Sequence, residues 1–205
     1  MSRFSCLLAG TALTAVILGG PAQAQQPAKP PLFATTKVDG TDNVYVFRYG
    51  NRQSMFIVTS AGVIATDPIG YGFPATVPAY IGEIRKVTDK PIKYLIYSHH
   101  HYDHISGGQP FKDAGAKIIA HKKVKERLAV LKDPATPLPD EIFADKKTIQ
   151  LGGTTLELTY HGLNHSDSTI VMRLPKEKII EGARRKSKGE IVCRQKPRDR
   201  GVFCF

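Results

Sequence analysis

The sequence predicts a layered α/β fold in which helices cover sheets. Three observations predict it: groups of short β-branched and aromatic runs alternate with stretches of helical spacing; one run, "PIKYLIYS", is nearly continuous in apolar character; and no internal repeat marks a solenoid. At 205 residues, 41% hydrophobic and 23% charged, the chain suits a single globular domain.

The N-terminus stands outside that domain. "MSRFSCLLAGTALTAVILGGPAQAQ" has a basic start at Arg3, an apolar stretch from Phe4 to Gly20 and the small-x-small triplet Ala22-Gln23-Ala24, the pattern of a secretory signal cleaved after Ala24. An uncleaved anchor fits the length of that stretch, close to the ~20 residues that span a bilayer. Its Gly and Thr content and the triplet fit removal better. Residues 1–24 are read as a signal peptide, the mature protein as periplasmic or secreted with no stable membrane anchor, and 25–31, "QQPAKPP", as a disordered lead-in. The domain starts at Leu32. Once Cys6 leaves with the signal, only Cys193 and Cys204 remain, too few for a disulfide framework.

From there "NVYVFRYG", "QSMFIVTS" and "GVIATD" read as a strand meander. "ATVPAYIGEIRKVTD", with Val77, Ile81 and Ile84 at helical spacing, reads as a helix. "PIKYLIYS" reads as a strand buried on both faces. "AKIIA" is a further strand, "HKKVKERLAVLKD" a basic amphipathic helix, "KTIQLGGTTLELTYHG" a hairpin about Gly152-Gly153, and "STIVMRLPKEKII" continues the strands.

Four of the seven histidines fall in one place, "SHHHYDHISGG", between the buried strand and the Gly107-Gly108 break. Strand ends are where scaffolds present reactive groups. In an extended segment His99, His101 and Asp103 point the same way and His100 the other, and a chain reversal brings in His104. Imidazoles and a carboxylate in that density are the ligands of a borderline cation such as Zn²⁺. The interruption by Tyr102 and Asp103 excludes an expression tag. His161 reads as a supporting or structural residue and His121 as a packing or capping one.

"His99-His100-His101-Tyr102-Asp103-His104" resembles the HxHxDH motif of the metallo-β-lactamase superfamily, and "HGLNHSDSTIVMRLP" its second motif, with His165 in the ligand place. Asp67, ending "GVIATD", resembles the acidic residue that supports the metal loop. The resemblance covers Lys37 to Ile180 and implies an αβ/βα four-layer sandwich with its metals at the strand edge between two sheets. By the same resemblance His99, His101 and His165 hold a first zinc, and Asp103 and His104 serve a second. Three ligands leave an open position where a bound water is acidified to a pKa of about 7. The implied function is hydrolysis of an ester, thioester, lactone or amide-type bond of a small-molecule substrate by metal-bound hydroxide, with Asp103 as the candidate catalytic residue.

After Ile180 the texture changes. The family's third motif, a short apolar strand ending in Gly-Asp, is replaced by "EGARRKSKGE", and no histidine follows His165. The second site is therefore expected to be incomplete. Glu181 to Phe205 carries eight Lys/Arg against three Asp/Glu, nearly half of the net charge of +11. Without interleaved aromatics this run reads as a solvated, disordered tail rather than a nucleic-acid site. The break is read as a C-terminally truncated or frameshifted hydrolase whose last sheet has an open edge. Residues 32–180 then form the domain and 181–205 the tail. Two other functions stay open: a β-lactamase proper, and a non-catalytic zinc-binding or interaction protein.

Overall fold

A computed structural model describes residues 32–182 and the backbone of 202–203. The signal peptide, the lead-in, all three cysteines and most of the basic tail lie outside the described residues. An antiparallel meander of β1 (Phe33–Lys37), β2 (Val44–Tyr49), β3 (Arg52–Thr59) and β4 (Gly62–Thr66) opens the domain. Helix α1 (Thr76–Val87) then crosses to β5 (Ile92–Ile96). Two short helical segments, α2 (Tyr102–Ile105) and α3 (Gln109–Asp113), precede β6 (Lys117–His121), α4 (Lys122–Leu131) and β7 (Glu141–Phe143). These seven strands form one sheet in chain order, parallel from β4 onward. The second sheet contains β8 (Lys146–Leu151), β9 (Thr154–Tyr160), β10 (Ile170–Leu174), β11 (Ile179–Gly182) and β12 (Val202–Phe203), in the order β12-β11-β10-β9-β8.

Alternation along the strands decides the layers. In β4, Val63 and Ala65 face the helices, where Tyr80 and Ile84 of α1 and Val124 and Leu128 of α4 pack, while Ile64 faces the second sheet. Leu95 and Ile96 divide in the same way on β5. The first sheet is thus buried on both faces, as "PIKYLIYS" predicts. Leu156, Leu158, Ile170, Met172 and Leu174 close the inter-sheet core from the other side. Each such side chain, fully buried, contributes about 1.5–3 kcal/mol. The outer face of the second sheet is polar, with Arg173 paired to Glu157 across β9 and β10 at 3.0 Å. Among the described residues no helix covers that face, so they supply three of the four layers.

Four elements differ from the sequence reading. Strands β1 and β7 and helices α2 and α3 are short and carry weak patterns, so tertiary pairing rather than local propensity defines them. The glycine break has a steric cause. Gly107 adopts φ +91°, and a Cβ on Gly108 would lie 2.1 Å from the Tyr97 hydroxyl.

The boundary at Ile180 is corrected. Strand β11 runs on through Glu181 and Gly182, and the two-residue β12 pairs in parallel with it, so β12 rather than β11 is the end strand of this sheet among the described residues. Glu181 is fully buried. Its Oε1 accepts from Thr66 Oγ1 at 3.2 Å, its Oε2 has no partner, and Thr66 also contacts Ser54, which bonds the Tyr80 hydroxyl at 3.1 Å. A buried polar chain therefore runs from α1 through the first sheet into the second.

Burial, and then the nearby Asp67 charge, raise the Glu181 carboxyl well above its ordinary 4.5. The folded state keeps this proton where the unfolded chain loses it, so the associated stability is whole below pH 4.5 and declines as pH rises through that value toward the folded pKa. Glu181→Leu removes the orphaned oxygen. It should stabilise the protein by about 1–3 kcal/mol at pH 8, with a smaller gain at pH 5, in urea unfolding followed at both values. An equal gain at both would show that the carboxyl does not change its proton on unfolding.

Candidate metal centre

The histidine loop starts where β5 leaves the sheet. The Ser98 carbonyl accepts from Ile170 N–H at 3.0 Å, which fastens the end of β5 to the start of β10 and so joins the two sheets at this point. Beyond it, residues 99–103 do not stay extended as expected. His101 is the N-cap of α2, and Asp103 and His104 lie on that single helical turn. The turn is held from outside by the segment after β4, where Ile69 N–H donates to the His104 carbonyl and Gly70 N–H to the Ser106 carbonyl, both at 2.8 Å. Ile69 makes this contact at φ +51°, a left-handed conformation that costs a β-branched residue about 1–3 kcal/mol.

His99, His101 and His165 converge, one ligand atom from each lying within 4.8 Å of the others. Three nitrogens on a common tetrahedral zinc stand about 3.4 Å apart, a separation that small ring rotations reach from here. His99 is fully buried, its Nδ1 lies 2.8 Å from Ser98 Oγ, and its Nε2 has no partner at all. Ser98 Oγ in turn donates to Asp67 Oδ2, so the hydroxyl has only its lone pairs to offer His99. Nδ1 must then carry the proton, and Nε2 presents a bare lone pair among the other histidines. A buried acceptor left open in this way fits a metal ion and is costly without one.

Protonation states agree with that assignment. Burial first, and then the neighbouring His104, His101 and His165, hold His99 far below the usual imidazole range. Burial also lowers His101. Both are neutral at pH 7, the form that binds metal.

Asp67 is the hub of the opposite side. It is 1% exposed and accepts from Ser98 N–H at 2.8 Å, from Ser98 Oγ, and from His104 Nδ1 at 3.2 Å. Asp67, His99 and His104 form a second cluster of ligand type. The Asp67 oxygens are already occupied by these donors, so its role there is orientation: it directs His104 Nε2 outward. Burial opposes charge on His104, but the hydrogen bond and charge of Asp67 outweigh it and raise the imidazole pKa.

Asp103 joins neither three-residue group. Its side chain is about half exposed, with Oδ2 3.8 Å from His104 Nε2. His100 turns away from the cluster toward Ser168. His161 is exposed, while His121 caps α4, accepting from Lys123 N–H, and stacks on Tyr160. Sequence reasoning missed Ser98. The available signal was a hydroxyl at the strand end, directly before the motif.

Because Ser98 links Asp67 to His99 only, while Asp67 orients both imidazoles, the two substitutions should differ. Ser98→Ala should weaken binding of the first metal by roughly tenfold, and Asp67→Asn by more, in zinc competition against a chromophoric chelator. Equal affinities for both variants and the parent would refute this orienting role.

Comparison with known proteins finds relatives in sequence and in fold. The profile of the metallo-β-lactamase superfamily matches residues 71–180. The metallo-β-lactamase type 2 of Elizabethkingia meningoseptica is 29% identical over 150 residues, 69% of this chain and 58% of that protein. The 2,4-dinitroanisole O-demethylase subunit alpha of Nocardioides sp. (strain JS1661) is 26% identical over 152 residues, 73% of this chain and 45% of that one. The chain thus spans about half the length of these relatives. Among solved structures, a metallo-β-lactamase from Pontibacter korlensis superposes with a TM-score of 0.60 at 22% identity, covering 74% of this chain and 71% of its own. With the profile match extending over more than half of the sequence, and the two-sheet fold shared, this chain belongs to the metallo-β-lactamase superfamily.

Proposed function

We propose that the chain is a periplasmic or secreted zinc-dependent hydrolase that acts on an ester, thioester, lactone or amide-type bond of a small molecule. The observation that carries this reading is the unpartnered, buried Nε2 of His99 facing His101 and His165. The leader pattern of residues 1–24 supports export. The names of the relatives, a β-lactamase and an O-demethylase, support small-molecule substrates without selecting one.

His99, His101 and His165 would hold the zinc. When bound, it supplies Lewis acidity and an acidified water, with a pKa of about 7, at its open fourth position. The chain's own residues prepare that position. Ser98 and Asp67 fix the His99 tautomer, and burial keeps His99 and His101 neutral. Asp103, half exposed beside His104, would orient the attacking water and accept its proton. Asp103 and His104 would serve a second ion with two protein ligands only, so one tight zinc is expected. A β-lactamase proper is the second reading, supported by the exported leader and the 29% identical relative.

Metal analysis of the purified protein should give close to one tight zinc per chain, and His101→Ala should remove most of its affinity. Two tight zincs would mean that ligands have been overlooked. In a panel of β-lactams, lactones and thioesters, activity should be lost on chelation and return with zinc. Asp103→Asn should reduce turnover by about a hundredfold or more, the lower edge of the roughly 10²–10⁴-fold contribution of a general base, while the first zinc stays bound. Turnover that survives both chelation and Asp103→Asn would sink the hydrolase reading, and zinc binding without any turnover would favour a non-catalytic zinc protein.

A further inference from the structure

Residues 161–169, the connection that carries His165, are anchored at two points. The Ser168 hydroxyl accepts from His100 N–H at 3.1 Å and lies 2.8 Å from His100 Nδ1. The one histidine that turns away from the cluster therefore grips the loop that brings its third ligand. Asp167 is the second anchor. Its carbonyl accepts from the Tyr160 hydroxyl at 2.9 Å, and its Oδ2 accepts from Arg127 Nη2 at 2.6 Å. Its Oδ1 is buried without a hydrogen bond, 3.5 Å from His100 Nδ1.

Arg127 belongs to α4, outside the histidine loop and far from it in sequence. Lys123, one helical turn earlier on the same face, donates to the Tyr160 hydroxyl at 3.2 Å. The basic helix thus meets the His165 loop through Arg127 and the strand end before it through Lys123. The Arg127 hydrogen bond, the largest cause, holds the Asp167 carboxyl below its ordinary range. Without that guanidinium, Asp167 would carry a charge with one oxygen already buried and unbonded, two residues from His165. It would then have to rotate toward water or toward the histidines, and the loop would move with it. An ion pair with one partner mostly exposed adds little to global stability, so the consequence of this pair is local.

We propose that Arg127 is a positioning residue for His165: by holding Asp167 against α4, it sets the loop that delivers the third histidine to His99 and His101. The proposal rests on reading those three histidines as the metal ligands. Partners of ligands, rather than ligands themselves, typically change metal affinity by about 10–100-fold.

The test uses the full chain, with zinc affinity from chelator competition and the visible absorption of the cobalt-loaded protein. Arg127→Ala should weaken zinc binding by roughly tenfold and alter the cobalt spectrum, leaving the unfolding temperature of the metal-free protein unchanged. Arg127→Lys should recover part of the affinity, because it restores the charge without the fork. Asp167→Asn should reproduce the Arg127→Ala defect, and it serves as the readout if Arg127→Ala fails to fold. Parental affinity in Arg127→Ala, alongside a loss in His101→Ala, would overturn the positioning role and leave the ligand assignment standing. Parental affinity in both would overturn the ligand assignment itself. A lower metal-free unfolding temperature with an unchanged cobalt spectrum would make the pair purely structural and overturn the proposal.

Discussion

Asp67 closes the last strand of the meander, almost wholly removed from water, with donors converging on it from two directions. A carboxylate taken out of water at such a depth is tolerable only when its oxygens are fully engaged. Satisfying it obliges Ser98 to spend its hydroxyl proton and His104 its Nδ1 proton. Two imidazole tautomers follow from that single demand, and with them the atoms left facing the cavity. The strained Ile69 belongs to the same arrangement, since its amide holds the turn on which His104 sits.

The cluster is also where the two sheets meet. His99 and His101 come from the end of a strand in the first sheet, and His165 from the connection that enters β10 of the second. The Ile170 to Ser98 hydrogen bond holds the sheets in register beside the cluster, and Thr66 to Glu181 adds a buried contact deeper in. The site is therefore built across a packing interface whose walls are the apolar residues of the inter-sheet core. Convergence of the histidines depends on Ile64, Ile96, Leu158 and Ile170 packing correctly, although none of them carries any chemistry.

The strands with sustained patterns were legible in the sequence, as were both long helices and the place of the histidines at a strand end. Alternation and helical spacing carry that information over several residues. The one-turn helix at Tyr102–Ile105 was not, because four residues have too little periodicity to reveal it, and its stabilising partners lie some 35 residues earlier in the chain. Ser98 and Arg127 were invisible for a different reason: a serine and an arginine have no motif of their own, and their roles arise only from what folding brings beside them. Glu181 shows the reverse error. A charged residue at the start of a basic run reads as solvent-facing, yet strand pairing and the inward face of β11 bury it completely.

The junction at Ser98 and Ile170 has a mechanical side. An ion held by His99, His101 and His165 is in effect a cross-link between distant parts of the chain, closing a long loop that contains β6, α4 and the hairpin of the second sheet. Its removal takes away a tie on the connection at 161–165, where Leu163 is 80% exposed. Metal occupancy and resistance to proteases at this connection should therefore rise and fall together, so that where metal is scarce the unloaded protein is the one preferentially cut.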